Sequence, residues 1–184
     1  MSAITAEQAR AVLREAELLC PPEQIETALD RLAVAVTARL EGSDPLVLMV
    51  MNGAFATAAQ LLARLRFPLR VGYLHATRYR SGTRGGEIDW IARPRPAVAG
   101  QVVLVVDDIF DEGDTLKAIL DEVRRQGAAA VYSAVLVNKR HDRKVPGLNL
   151  DFVGLEVPDR YVFGCGMDYK EYWRNLPAIY AARE

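Results

Sequence analysis

Residues 102–116 read VVLVVDDIFDEGDTL, in which five apolar residues run directly into five acids within the next eight positions. A continuous apolar run of this length, rich in β-branched valine, is the pattern of a strand buried on both faces. Gly113 to Leu116 reads as the start of a helix. The acids Asp107, Asp108, Asp111, Glu112 and Asp114 therefore crowd a turn between a strand and a helix, where like charges repel. Capping and the helix dipole account for one or two acids before a helix, and Asp111 alone needs no more. Asp107 and Asp108 lie at the end of a buried strand. There, like charges need a polyhydroxyl or cationic partner.

Outward from this stretch, apolar strands alternate with helices. LVLMVM at 46–51 reads as a strand, AFATAAQLLARLR at 54–66 as a helix, and LRVGYLHAT at 69–77 as a second strand. A charged, Gly-rich loop follows at 78–90, RYRSGTRGGEIDW. Beyond the acids come a helix at 113–127, a strand at 130–139, and short strands near 152–157 and 161–166. This order predicts an α/β fold with a mainly parallel central sheet and helices on both faces. Ligands of such sheets bind at the carboxyl ends of the strands, where the acids lie. Upstream, Thr5 and Gln8 stand at capping-box spacing for a helix expected to reach about Cys20, with an apolar stripe Ala9, Val12, Leu13, Ala16 and Leu19. Pro21-Pro22 ends it, and a second helix is expected up to Gly42.

Composition bounds the rest. The 184 residues are 51% hydrophobic and 26% charged, with a net charge of −1. That balance fits one core and gives no general pull toward nucleic acid. The two cysteines, Cys20 and Cys165, are far apart, as expected for a reducing compartment and not for a disulfide framework. The opening residues lack a signal-peptide pattern, and no apolar run is long enough to span a bilayer. The expectation is a cytoplasmic protein with no membrane or nucleic-acid partner. It would form a single domain over 1–184, with N-terminal helices over 1–42, a core over 45–140 and a C-terminal segment over 150–184.

The chemistry follows from donor and acceptor counts. Two adjacent carboxylates offer acceptors and no donors, the complement of a cis-diol. Gly113 permits close backbone approach, Thr115 adds a hydroxyl, and the following helix aims its N-terminus at the same place, which together make a phosphate cradle. A diol and a phosphate at that spacing describe ribose-5-phosphate, although a magnesium site of another enzyme satisfies the same composition.

VVLVVDDIFDEGDTL resembles the phosphoribosyl-pyrophosphate motif of the type I phosphoribosyltransferases. VMNGAFATAAQLL at 50–62 is similar to that family's pyrophosphate loop. RYRSGTRGGEI is similar to its flexible catalytic loop, and VLVNK at 135–139 to its purine-reading lysine strand. DFVGLEVPDRYVFGCGMDYKEYWRNLP at 151–177 resembles the purine-binding hood and C-terminal segment of the hypoxanthine-guanine members. Order and spacing match over roughly 45 to 180. The resemblance implies the family fold, in which a small hood built from both chain ends and two N-terminal helices accompanies the central sheet.

By resemblance, Asp107 and Asp108 would hold the ribose hydroxyls, Gly113 and Thr115 the 5′-phosphate, and Asp111 would be the general base near purine N7. Lys139 would donate to the 6-oxo group, Tyr161 would stack on the purine, and the backbone at Val162 would read its edge. Met51, Asn52 and Gly53, with a non-proline cis peptide at Met51-Asn52, would contact pyrophosphate together with Arg174. Asp168 would bind Mg2+, and Tyr79 would lie in a loop that closes over the site. The implied substrates are a purine base and 5-phosphoribosyl 1-pyrophosphate, and the implied assembly is a homodimer or homotetramer. The sequence departs from the family at Glu112 and Asp114 in the phosphate loop. It departs also at Asn52, where many relatives have lysine, and at Arg78, where a serine is common. Xanthine or adenine as the base, or a non-catalytic nucleotide- or RNA-binding regulator, are the alternatives; Lys139 favours a 6-oxopurine, because an ammonium cannot accept from an amino group.

Overall fold

A computed structural model describes residues 4–78 and 88–183. The chain opens with helix α1 (Ala6–Glu15), strand β1 (Glu17–Cys20) and helix α2 (Pro22–Leu40). Strand β2 (Leu46–Val50), helix α3 (Ala54–Leu62), and strands β3 (Arg70–Arg78) and β4 (Ile88–Arg95) follow. Strand β5 (Val102–Phe110), helix α4 (Asp114–Arg125), and strands β6 (Ala130–Arg140) and β7 (Phe152–Pro158) complete the centre. The short strands β8 (Val162–Phe163) and β9 (Ile179–Ala181) close the fold.

Six strands form the main sheet in the order β4-β3-β2-β5-β6-β7. All its neighbours are parallel except β3 and β4, which pair antiparallel at one edge. Alternation along the strands sorts the core into two layers. Val47, Leu104, Val106 and Leu136 pack with Ile25, Leu29, Leu32 and Val36 of α2 and Ala58 and Leu61 of α3. Leu46, Leu48, Val103 and Val105 pack on the other face with Leu116, Ile119, Leu120 and Val123 of α4. The chain leaves β2 toward β3 on one side and β5 toward β6 on the other. The β2/β5 boundary is therefore the topological switch point, where such sheets open a crevice.

Two expectations need correction. The capping box at Thr5 and Gln8 is formed, with Thr5 N–H donating to Gln8 Oε1 at 2.8 Å and Gln8 N–H to Thr5 Oγ1 at 3.2 Å. The helix nevertheless ends at Glu15, and Ala16 is extended, with φ −68° and ψ 148°. Glu17–Cys20 instead pairs antiparallel with β9, giving a second sheet in the order β1-β9-β8. Backbone pairing to β9, from the far end of the chain, outcompetes the local helical pattern. The second correction is at 78–90, where Ile88–Arg95 is already strand β4, held by β3. Tyr79 and the remainder of the expected closing loop lie outside the described residues, as does the side chain of Arg78.

Candidate active site

Strand β5 outruns its neighbour. Pairing with β2 stops at Met49 against Val106, whereas pairing with β6 continues to Phe110 against Asn138. Asp107 and Asp108 are thus strand residues at the point where one edge of β5 falls open, and the strand expected to end with them continues to Phe110. Facing that edge, β2 runs into Met51-Asn52, whose peptide bond is cis, and then Gly53. A side chain at Gly53 would overlap the Asp108 carboxylate, and one at Gly166 would overlap the Gly53 carbonyl. Only bare backbone lets loop, acid and hood meet this closely.

Strand alternation starts Asp107 toward α4 and Asp108 toward α2 and α3. Asp107 Oδ1 accepts the Asp108 N–H at 3.0 Å, and Asp108 Oδ1 accepts the Ile109 N–H at 2.8 Å. Burial, reinforced by the neighbouring Asp108 charge, pushes the Asp107 carboxyl well above the ordinary range. Burial raises Asp108 too, against hydrogen bonds from Asp107 and the Ile109 N–H and the positive charge of Arg174. The pair therefore favours holding a proton.

Asp111 sits just beyond β5 and is held from two sides. Lys139 Nζ donates to its Oδ2 at 2.7 Å, and His141 Nε2 lies 2.7 Å from its Oδ1. Burial acts to raise this carboxyl, but the hydrogen bonds from Lys139 and His141 and the charge of Lys139 prevail and hold it below the ordinary range. Lys139 is buried within β6 and does not follow it, and reaches Asp159 more weakly at 3.9 Å.

The turn after Asp111 depends on Gly113, which takes φ +92° and lies so close to the Phe110 ring that a side chain would overlap it. Helix α4 then begins at Asp114, so the first-turn N–H groups around Thr115, which have no partner within the helix, point out of its N-terminus. Glu112 is drawn aside. Its carboxylate lies 4.0 Å from Arg143, and its carbonyl accepts the Val145 N–H at 2.7 Å.

The second sheet carries the remaining candidates. Val162 is buried and pairs with Ala181, while Tyr161 stands half-exposed and edge-on to Tyr169 at 5.2 Å. Asp168 Oδ1 pairs with Arg174 at 2.6 Å, and its Oδ2 accepts the Glu171 N–H at 2.7 Å. Arg174 also donates to the Gly166 carbonyl at 2.7 Å.

Two adjoining cavities result. One, of about 590 Å³, is lined by Asp107, Asp111 and the loop to Leu116, including Gly113 and Thr115. The other, of about 210 Å³, is lined by Asp108, Lys139, Tyr161, Val162, Met167 and Asp168. Ile109 and Asp111 line both. Asp111, His141 and Asp159 also bring one ligand atom each within 4.8 Å of one another, a spacing that a divalent cation could bridge. Sequence reasoning missed His141, Arg143 and Asp159. The available signal for His141 and Arg143 was the polar run KRHDRK at 139–144, which begins in the last two residues of β6 and contains one of just two histidines.

The phosphoribosyl transferase domain model matches residues 21–171. The chain is 32% identical over 164 residues to the hypoxanthine-guanine phosphoribosyltransferase of Bacillus subtilis, covering 89% of this chain and 91% of that protein. It is 34% identical over 164 residues to the bifunctional protein TilS/HprT of Listeria innocua, where the match covers 89% of this chain but spans only 25% of that protein's length. A solved hypoxanthine phosphoribosyltransferase from Staphylococcus aureus superposes with a TM-score of 0.88 at 25% identity, covering 94% of this chain and 95% of that one.

Proposed function

Because this chain belongs to the phosphoribosyl transferase family, we propose that it makes IMP or GMP from hypoxanthine or guanine and 5-phosphoribosyl 1-pyrophosphate, releasing pyrophosphate. The observation that carries this reading is that one carboxylate, Asp111, borders both cavities and is paired to a buried lysine. A sugar phosphate and a base that share a wall at Asp111 have their reacting atoms beside a proton acceptor.

In this reaction the bond from ribose C1 to pyrophosphate breaks, a bond to the purine nitrogen forms, and the purine loses a proton. Asp111, held ionised by its partners, would take that proton at N7. Lys139 Nζ would donate to the 6-oxo group, a role that adenine's amino group cannot accept. Tyr161 would cover the purine, and the Val162 backbone would read its edge. The α4 N-terminus with Gly113 and Thr115 would hold the 5′-phosphate. The ribose hydroxyls would give Asp107 and Asp108 the donors that the pair lacks, and their returning negative charge would stabilise positive charge developing at C1. Met51, Asn52 and Gly53 would hold pyrophosphate through backbone groups, with Arg174 turning from Asp168 to join them.

Mg2+ would neutralise pyrophosphate when bound. Its preference for oxygen ligands fits Asp168, a single carboxylate at the cavity rim. The Asp111, His141 and Asp159 group fits less well, because it offers an imidazole and already has Lys139 and Arg143 against its carboxylates. Cytoplasmic location is supported by the two free cysteines, and assembly as a homodimer or homotetramer by the family resemblance. None of the described helices is long and apolar enough to cross a membrane.

The test is pyrophosphate release from the purified protein with donor, Mg2+ and hypoxanthine, guanine, xanthine or adenine in turn. Release is expected with hypoxanthine and guanine and not with adenine. Absence of release with every base would overturn the reading. Asp111→Ala should reduce turnover by about 10²–10⁴-fold while leaving donor binding in place.

A further inference from the structure

We propose that His141 is a positioning residue for Asp111, fixing the carboxylate's orientation while Lys139 turns to the purine. This rests on the transferase reading above and adds to it a residue that the family motifs do not include.

The imidazole is built into the site. Its side chain is 4% exposed, against 44% for Asp111, so the histidine is the anchored member of the pair. Its Nδ1 accepts the Arg143 backbone N–H at 3.1 Å. An N–H aimed at Nδ1 requires a lone pair there. The ring proton therefore sits on Nε2 and is donated to Asp111 Oδ1. The same arrangement excludes a proton relay through the ring, because Nδ1 faces a donor and has nothing to pass a proton to. His141 acts by orientation.

Asp111 needs such an anchor. Its other oxygen is held by Lys139, the same ammonium that must turn to the 6-oxo group of the base. Once Lys139 shares its donors with substrate, the half-exposed carboxylate is free to rotate about Cβ–Cγ unless Oδ1 stays fixed. The His141 bond holds that oxygen and leaves a lone pair on Oδ2 for the N7 proton.

The segment carrying His141 is fastened on both sides of Asp111. Lys144 Nζ donates to the Phe110 carbonyl at 2.9 Å and to Asn138 Oδ1 at 2.7 Å, and lies 4.0 Å over the Phe110 ring. The Val145 N–H reaches the Glu112 carbonyl, and Arg143 grips Asp159 through two hydrogen bonds of 2.8 and 3.0 Å. Glu112, a departure from the family's phosphate loop, thereby acquires a partner in Arg143 and a direction away from the cradle.

The experiment compares His141→Phe, which keeps a ring in the buried space without a donor, with His141→Gln, which restores an N–H near the Nε2 position. His141→Phe should lower kcat by about 10–100-fold, the range for losing one hydrogen bond to a charged group, with the donor KM unchanged. His141→Gln should recover most of kcat. Wild-type kcat in the Phe variant, or a Gln variant no better than Phe, overturns the proposal. Nitrogen-15 NMR of the ring, assigned with His75→Gln, gives a readout independent of turnover. The Nε2–H tautomer is expected in the free protein, and an Nδ1–H or exchanging ring overturns the proposal even if no base is turned over. An inactive wild type with the expected tautomer instead counts against the transferase reading alone.

Discussion

Asp107→Asn should make the unliganded protein more stable and the liganded one worse. The Asp107 carboxyl is raised by burial and by the adjacent Asp108 charge, so its ionised form is disfavoured in the folded state. Below its ordinary value of 3.8 the acid is protonated in both folded and unfolded chains and costs nothing. As pH rises from there toward the raised native value, the unfolded chain loses the proton and the folded chain keeps it. The folded state therefore loses relative stability across that window, and the loss is constant above it. Asparagine keeps the acceptor for the Asp108 N–H and removes the titration, so its benefit is absent near the ordinary carboxylate value and grows toward neutral pH. Relieving one uncompensated buried polar group is worth about 1–3 kcal/mol. For a chain of this size that corresponds to a Tm increase of roughly 2–12 °C. Thermal melts of wild type and variant across acid to mildly basic pH measure it, and melts with the sugar donor measure the cost. Wild-type protein should gain stability from the donor, and the variant should gain little. A variant that melts no higher than wild type at neutral pH, or gains equally at acid pH, would refute the reasoning.

Gly53→Ala drives a methyl group into the Asp108 carboxylate; it should cost about 1–3 kcal/mol of stability and raise the donor KM. Unchanged melting and kinetics would mean that the loop yields freely. Glu112→Gln removes an exposed partner of Arg143, so stability should change by less than about 0.5 kcal/mol. The donor KM should fall slightly, since one acid beside the phosphate loop is gone; a marked rise would show that Glu112 serves the donor directly. Asp168→Asn should raise the Mg2+ concentration needed for half-maximal turnover, and a titration coincident with wild type would remove the magnesium role from that residue.

Much of this molecule was legible because its signals are local. A five-residue apolar run needs burial on both faces wherever it lies, and VVLVV became the strand next to the topological switch point. Asp107 and Asp108 at its end demanded a polyhydroxyl or cationic partner, because like charges are costly to bury unpaired. Gly113 had to be flexible in φ, and it adopts +92°. Lys139, Tyr161, Val162 and Asp168 were singled out through motif order, and they line one cavity with Asp108 and Asp111.

What the tertiary structure alone decided lies in contacts between distant segments. Residues 17–20 carry a helical apolar stripe, yet form a strand because Ile179–Ala181 offers backbone partners. The protonation bias of Asp107 and the opposite bias of Asp111 come from similar side chains in similar sequence, four positions apart. One is partly buried beside another acid and the other lies between a lysine and a histidine 28 and 30 residues away. Sequence determined which groups would be present at the strand end. Which of them would hold a proton and which would receive one depended on the neighbours that folding brought to them, since charge energies fall with distance in space and take no account of separation along the chain.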